Sequence, residues 1–287
     1  MKAIFERELR SYYAGMTGYV IAAVLLAFIG IYTLTLNLTY GYPNFEYVLD
    51  SMTFVYMVLI PLLTMRLMAE EKKQRTDLLL YSLPVSSGEV VLGKVLAAWV
   101  VLGIPLAVSG LYPLLLGMFG DVNYATAYAS LFAFYLLGGA LTAIGLFLSS
   151  LTENLVIAAV LCFLVLLVDF YASGLAAYVS AASYTSFMVL MLAGLIIAGL
   201  VYYMTKNTLA ALTFAVVADG AMLVMYLIDP GLFGGMIADI LQGICVFSRM
   251  TGFINGVFDF QAVVYFLSVI GLFLFLTVQS MEKRRWS

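Results

Sequence analysis

The sequence predicts an all-α, polytopic membrane protein with six to eight transmembrane helices, eight being the favoured number. Hydrophobic residues make up 64% of the 287 residues and charged residues only 10%, and the mean hydropathy is +1.09. A hydrocarbon core of about 30 Å is crossed by about 20 helical residues, and only helices or closed barrels satisfy their backbone polar groups there. The apolar runs are continuous, whereas barrel strands alternate apolar and polar residues, so helices are expected.

Eight apolar runs are predicted to span the membrane, at residues 19–36, 51–68, 90–119, 125–150, 155–171, 186–204, 208–228 and 260–279. Pro105 and Pro113 should kink or end the third span. The first run begins only near Tyr19, so we expect no cleavable signal peptide. Six spans with re-entrant pieces between 186 and 228 are the alternative, because Lys206 is the only charge that separates the sixth and seventh runs.

The basic residues predict the orientation. With a cytoplasmic N-terminus, all but one of the 13 Lys and Arg residues lie inside, namely Lys2, Arg7, Arg10, Arg66, Lys72, Lys73, Arg75, Lys94, Lys206, Lys283, Arg284 and Arg285. Only Arg249 then lies outside, and the positive-inside rule favours this arrangement. Both termini are therefore predicted to be cytoplasmic. Because the charges are sorted by membrane side, the net charge of -3 gives no indication of a nucleic-acid partner.

Residues 69–89 form the largest predicted cytoplasmic loop. Residues 70–83 are good helix formers that end before Pro84, and Ser86 or Ser87 can cap the next helix with Glu89 in its first turn. Leucines on one side of this predicted helix indicate a protein partner, and a solvated loop against the headgroups is the alternative.

Residues 1–17 predict an amphipathic helix in the plane of the membrane interface. Its apolar side carries Phe5, Leu9, Tyr12, Tyr13 and Met16. Its other side carries Lys2, Glu6, Arg7 and Arg10. A helical extension of the first span is the alternative. The remaining residues, 18–287, form a single transmembrane domain.

Three acidic residues lie at informative positions. Asp219 is near the middle of the seventh run, where a charge costs about 2.5 to 3.5 kcal/mol, and Asp169 is near the outer end of the fifth. Both are candidates for a substrate cavity. A hydrated loop edge is the alternative for Asp169, and a hydrogen bond to another helix is the alternative for Asp219. Glu153 is expected to cap or contact the cytoplasmic turn after the fourth span.

Residues 229–259 are predicted to lie outside the cell and are too long for a simple turn. Ile237, Leu241 and Ile244 recur at helical spacing, so one or two short amphipathic helices should dip into the outer leaflet.

Several functions are disfavoured by the residues themselves. The chain has no GxxxxGK[ST] phosphate loop, since Gly93 and Lys94 are followed by Val95. With no histidine, a zinc-protease motif or a histidine base is impossible. The two cysteines form no CxxC pair. We therefore expect no catalytic residues and no metal site, and an intramembrane enzyme is a poor interpretation.

Three stretches resemble the ABC-2 type exporter permeases. They are "MAEEKKQRTDLLLYSLPVSSGEVVLGKVLA", "GLFLSSLTENLVIAAVL" and "FINGVFDFQAVVYFLSVIGLFLFLTVQSMEKRRWS". The third is similar to the last span of the gliding-motility-associated subgroup. Together they occur in the order of the family. One departure is Arg75, where the family often has Gly.

The resemblance implies the permease subunit of an ATP-driven exporter in the cell membrane of a bacterium. This chain would bind no cofactor, and ATP and Mg would lie on a separate ABC ATPase. A homodimer or heterodimer with a second permease is implied, with an extracytoplasmic auxiliary subunit as a further partner besides the lipid membrane. The cargo would be amphipathic or hydrophobic. The coupling helix that meets the ATPase maps to Glu70, Glu71, Lys72, Lys73, Arg75, Thr76, Asp77, Leu79 and Leu80.

An ion-gradient-driven secondary transporter that uses Asp219 as its coupling carboxylate is the alternative function. The charged cytoplasmic loop and the lack of a second intramembrane acid in an inverted repeat favour the ATP-driven exporter.

Overall fold

The computed structural model describes residues 1–76, 85–179, 182–205 and 208–286, and this part of the chain contains helices and no strand. The chain divides into two compact units. The first comprises Met1–Phe170 with Val246–Ser287, and the second comprises Tyr171–Cys245.

Helices α1 to α6 belong to the first unit: α1 (Lys2–Ala14), α2 (Thr17–Tyr32), α3 (Glu46–Gln74), α4 (Ser87–Ser109), α5 (Tyr112–Leu116) and α6 (Tyr124–Ser150). The rest are α7 (Leu155–Tyr178), α8 (Ser183–Thr205), α9 (Thr208–Ile228), α10 (Met236–Ile244), α11 (Thr251–Ile254) and α12 (Phe260–Trp286). The end of α2 continues as a π-helical segment, Thr33–Thr39. The unit boundary falls within α7.

Six helical segments of the described residues are long and apolar enough to cross a membrane: Thr17–Thr39, Glu46–Gln74, Ser87–Leu116, Tyr124–Ser150, Leu155–Tyr178 and Phe260–Arg284. They match six of the predicted spans. A further pair, Val216–Ile228 and Pro230–Ile244, is bent by 118° and would make at most a seventh span. Helices α8 and α9 lie where the sixth and seventh runs were expected, and eight spans stay a prediction.

The third predicted span breaks where its prolines indicated. Helix α4 contains Pro105 and ends at Ser109, and α5 restarts with Pro113 in its first turn. A proline is tolerated there because first-turn amides have no intrahelical acceptor. The predicted cap of α4 is confirmed: the Glu89 amide donates to the Ser86 hydroxyl at 3.3 Å, and the Glu89 carboxylate accepts the Ser86 amide at 3.4 Å.

Helix α1 is separate from the first span. Met16 has φ = 61°, in the left-handed region, so the chain turns sharply between α1 and α2. The alternative of one continuous helix is therefore wrong. Tyr12 is buried and its hydroxyl donates to the Leu63 carbonyl of α3 at 2.9 Å. Met16 is 72% exposed and belongs to the turn rather than to an apolar helix face.

Helix α6 is the centre of the first unit, because α3, α4 and α12 all pack against it. Glycines make this close packing possible. Each lies against a bulky or branched side chain of a neighbouring helix: Gly138 against Tyr56, Gly139 against Trp99 and Gly145 against Thr64. Small residues are expected at such contacts, since lipid gives no hydrophobic drive for helices to associate.

The second unit is built on the antiparallel pair of α8 and α9. Phe187 stacks on Tyr226 at 4.3 Å between ring centroids, and Phe233 meets both rings edge-on at 5.7 Å. Helix α10 contains Ile237, Leu241 and Ile244, where the sequence predicted a short amphipathic helix. Its location outside the cell stays a prediction.

Replacing Gly145 by Ala should destabilise the first unit, because a Cβ atom there would lie 2.9 Å from Thr64 Cβ. We expect the free energy of unfolding to fall by about 1 to 3 kcal/mol. The matched control is Gly271→Ala in α12, where a Cβ would meet nothing within 4 Å. Thermal unfolding in detergent checks this, and equal melting temperatures for both variants would contradict the packing described.

Candidate functional site

The predicted coupling segment is the end of a long helix. Glu70, Glu71, Lys72 and Lys73 lie in the last turns of α3, which runs without interruption from Glu46 to Gln74. The expectation of a separate helix over 70–83 is wrong at its start, because residues 70–74 are the last residues of α3 and Arg75 is its C-cap. Thr76 follows in a turn. Asp77, Leu79 and Leu80 lie outside the described residues.

Arg75 ends α3 in the left-handed conformation, with φ = 56°. Its amide donates to the carbonyls of Glu71 and Lys72, which would otherwise lack an intrahelical donor. Glycine is the usual residue at this position of a helix end, because it has no Cβ to clash. The departure from the family pattern at Arg75 thus leaves the turn in place, at a cost of about 1 kcal/mol in backbone strain.

A cluster of four charges joins three helices at this end of α3. The Lys94 ammonium of α4 lies 3.0 Å from the Glu8 carboxylate of α1 and 3.0 Å from the Glu71 carboxylate of α3. The Arg7 guanidinium contacts the same two carboxylates, at 2.6 and 2.5 Å. We call Arg7, Glu8, Glu71 and Lys94 the charge cluster. Its two positive and two negative groups balance.

Three of the four side chains of the charge cluster are largely removed from water, whereas the Arg7 side chain is 50% exposed. The Lys94 side chain is 1% exposed and those of Glu8 and Glu71 are 13% and 16% exposed. Burial by itself would raise the pKa of Glu8, but the ammonium of Lys94 and the guanidinium of Arg7 outweigh it and hold that pKa below its ordinary value of 4.5. The ionised form of Glu8 is therefore the one that the folded protein stabilises.

The Gly-Lys pair at the start of α4 has a structural explanation. A Cβ at Gly93 would lie 3.1 Å from Ile4 Cγ2 and 3.4 Å from the Met1 carbonyl oxygen. Glycine therefore lets α1 approach α4 closely. Lys94 then reaches Glu8, one turn after Ile4 on α1. The pair therefore docks α1 against α4.

A second set of polar contacts fastens α3 to α6. The Ser149 hydroxyl accepts the Met68 and Ala69 amides at 3.2 and 3.1 Å. Lys72 is buried, and its ammonium donates to the Ser150 carbonyl. Burial of a lysine requires such a partner, because an unpaired buried charge is costly.

The predicted contact of Glu153 is with the last helix. Its carboxylate accepts a hydrogen bond from the Arg284 guanidinium of α12 at 2.7 Å. The Ser150 and Ser280 hydroxyls lie 3.0 Å apart and join the same two regions. The turn after α6 is thereby fixed to α12.

These contacts divide the predicted coupling residues into two groups. Glu71 and Lys72 are engaged within the chain and hold α3 to its neighbours. Lys73 and Arg75 are exposed, whereas Glu70 and Thr76 are half-buried. Glu70 lies 3.8 Å from Arg66, one helical turn earlier. Only part of the set therefore faces outward.

Among the described residues, Asp169 binds the backbone of the segment that follows α10. Both of its carboxylate oxygens accept the Val246 amide, at 3.0 and 3.1 Å. The carboxylate thereby fixes the point where the chain returns from α10 towards α12. Asp169 is half-buried within α7, and its role in a substrate cavity stays a prediction.

Asp219 is buried, with 7% of its surface exposed. Neither carboxylate oxygen has a hydrogen-bond partner among the described residues. It lies against Gly194 of α8, where a Cβ atom would collide with Oδ1. The hydrogen bond to a Ser, Thr or Tyr that the sequence allowed is therefore not seen in the described part of the chain.

The charge cluster includes residues that sequence reasoning missed. The sequence predicts Arg7 on the polar side of α1 and Lys94 on the cytoplasmic side, and it assigns no partner to either residue or to Glu8. A signal was present, because Lys94 is a lone charge one turn inside an apolar run and needs a buried counter-charge. Within the described residues, no group of three or more His, Cys, Asp or Glu side chains could hold a metal ion.

Acidification should loosen the charge cluster. Folding lowers the pKa of Glu8, so the ionised Glu8 carboxylate stabilises the folded chain fully above the ordinary pKa of 4.5. This stabilisation is lost as the pH falls through the pKa that Glu8 has in the folded chain. We expect the melting temperature in detergent to fall as the pH drops below about 4.5, and to fall less in Glu8→Gln.

At neutral pH, Glu8→Gln should also lower the free energy of unfolding by about 2 kcal/mol, because Lys94 loses a charged partner. Glu6→Gln is the matched control, since the Glu6 side chain is 62% exposed. Its pH profile should follow that of the unmodified protein. Superimposable profiles for the two variants would exclude Glu8 as the titrating group.

Comparison with known proteins places this site in a family. Residues 9–189 match the family described as ABC-2 family transporter protein. The matched range includes Glu71, Lys94 and Glu153. Searches of curated proteins and of solved structures each found no match. The family and the apolar helices support a multi-pass membrane protein, a transport component without a catalytic site of its own. Since the match covers more than half of the sequence, this chain belongs to the ABC-2 family of transporter proteins.

Proposed function

We propose that this chain is the permease subunit of an ATP-driven exporter and that the end of α3 couples it to a separate ABC ATPase. Family membership implies the ATPase partner. The observation that carries the coupling role is the attachment of this end of α3 to α1 and α4 through Lys94 and to α6 through Lys72. A force applied there would reach three other helices at once.

The mechanism follows from the stiffness of these attachments. Lys73 and Arg75 are exposed at the end of α3, directly before the segment that contains Leu79 and Leu80. Closure of the ATPase dimer on this surface would displace α3, a helix of 29 residues. Because Glu71 is bound to Lys94, α4 would move with α3. This movement would change the shape of the proposed substrate cavity.

The other parts of the assembly follow from the same proposal. ATP and Mg would bind to the ATPase, and this chain would pair with an identical or a second permease. The cargo is an amphipathic or hydrophobic molecule moved outward across a bacterial cell membrane. We further propose cytoplasmic termini, eight spans, an extracytoplasmic auxiliary subunit and membership in the gliding-motility-associated subgroup.

Removing the apolar anchors of the coupling segment should weaken ATPase binding. Leu79→Ala combined with Leu80→Ala should cost about 2 to 5 kcal/mol if both leucines are buried in the interface, because a few apolar anchors carry most interface energy. The measurement is co-purification of the ATPase with the tagged permease, together with ATP-dependent export.

The matched control is Leu114→Ala with Leu115→Ala, an adjacent leucine pair that is 53% and 55% exposed in α5. This control should retain the ATPase. Normal co-purification and export by the Leu79 and Leu80 variant would overturn the coupling role of this segment.

A secondary transporter driven by an ion gradient is the second candidate, favoured by the buried Asp219 carboxylate without a partner in the described residues. Asp219→Asn keeps the shape and removes the charge. Under this alternative, transport should be lost while the protein still folds, whereas the exposed Asp239→Asn should transport normally. Full transport by Asp219→Asn would exclude the alternative.

A further inference from the structure

An open groove lies at the sharp turn between α1 and α2, and we call it the elbow groove. It has a volume of about 850 Å³. It is lined by Ala3, Glu6, Arg7, Leu9, Arg10, Tyr13, Ala14 and Tyr19. All but Tyr19 belong to α1. The positive φ of Met16 creates this concave corner by turning α2 away from the axis of α1.

The elbow groove lies on the face of α1 opposite to its packed face. Ile4, Glu8 and Tyr12 recur every four residues and face α3 and α4. The lining residues Arg10 and Ala14 are half a helical turn away from this row. One face of α1 therefore packs against α3 and α4, whereas the opposite face lines the elbow groove.

The groove is positively charged. Arg10 is exposed and makes no hydrogen bond or ion pair with any described residue. The Arg7 guanidinium contributes a second positive charge, although it is also bound to Glu8 and Glu71. Glu6 is the only acid in the lining, and it lies 3.8 Å from the Lys2 ammonium.

Two tyrosines close the corner of the groove. The Tyr13 and Tyr19 rings meet edge-on with 5.1 Å between centroids. Gly18 leaves room for this pair, since a Cβ atom there would lie 3.3 Å from the Tyr13 ring. The Tyr13 hydroxyl is shielded from solvent and has no hydrogen-bond partner among the described residues. Because the hydroxyl is closed even to water in this conformation, an acceptor in the groove would reach it only after the neighbouring side chains move.

The position of the groove indicates the occupant. An amphipathic helix that lies at the membrane surface and turns into the first span has lipid headgroups inside its corner. Arginines and tyrosines are the residues that anchor proteins at this depth, and the cytoplasmic leaflet is rich in anionic lipids. We propose that the elbow groove binds the headgroup of an anionic phospholipid, with Arg10 and the Tyr13 hydroxyl on its phosphate.

The test uses the purified full-length permease in nanodiscs of phosphatidylcholine with a minor fraction of phosphatidylglycerol. Native mass spectrometry counts the phosphatidylglycerol that stays bound to the chain. We expect Arg10→Gln to weaken this retention at least about ten-fold, because a charge-assisted hydrogen bond to the phosphate is lost. Tyr13→Phe should also weaken it, because only the hydroxyl is removed.

Lys2→Gln is the matched control, since it removes one positive charge from α1 outside the groove, where the side chain is 90% exposed. It should weaken the retention of phosphatidylglycerol by no more than the about five-fold effect of one basic residue near an anionic surface, and less than Arg10→Gln does. Equal effects of Lys2→Gln and Arg10→Gln would mean general surface attraction and would overturn the proposal.

Two further outcomes would also contradict the proposal. Full retention of phosphatidylglycerol by Tyr13→Phe would show that the Tyr13 hydroxyl does not bind the phosphate. Loss of ATPase co-purification in Arg10→Gln, with unchanged lipid retention, would show that the groove is a protein-docking surface instead.

Discussion

The first unit depends on the burial of one positive charge, the Lys94 ammonium. A lysine that is 1% exposed is tolerated only when carboxylates replace its hydration. The two carboxylates come from Glu8 of α1 and Glu71 of α3, so α4 keeps its charge buried only while both helices are in place. Gly93 makes this possible by letting α1 approach. Removing these charges from water costs free energy, and the contact fixes the geometry of three helices.

Polar contacts concentrate at the same end of the unit. Lys72 and Ser149 bind α3 to α6, and Glu153 binds the next turn to α12. Within the membrane-spanning parts, the helices also pack closely at glycines such as Gly145. In lipid, packing and hydrogen bonds drive helix association, because burial of apolar surface provides little gain. The contacts of Lys72, Ser149 and Glu153 therefore lie at the end of the unit where the proposed coupling force would enter.

Helix α1 connects the two proposals made for this protein. Its packed face carries Glu8, which binds Lys94 of α4, and Tyr12, which binds the middle of α3. Its opposite face carries Arg10 and Tyr13, which line the elbow groove. A lipid bound on the second face would restrain the helix that supports the first. Lipid composition and ATPase coupling would then act on one element from its two sides.

The sequence alone determined the helical class, six of the spans, the break near Pro113, the capping box at Ser86 and the resemblance to the family. These depend on local hydropathy, proline geometry and short-range hydrogen bonds, all of which are readable along the chain. Only the tertiary structure decided that α3 continues to Gln74, that Glu71 and Lys72 face inward, and that Lys94 is buried. Those outcomes depend on residues far apart in sequence, because Glu8 and Lys94 become partners only when their helices pack together.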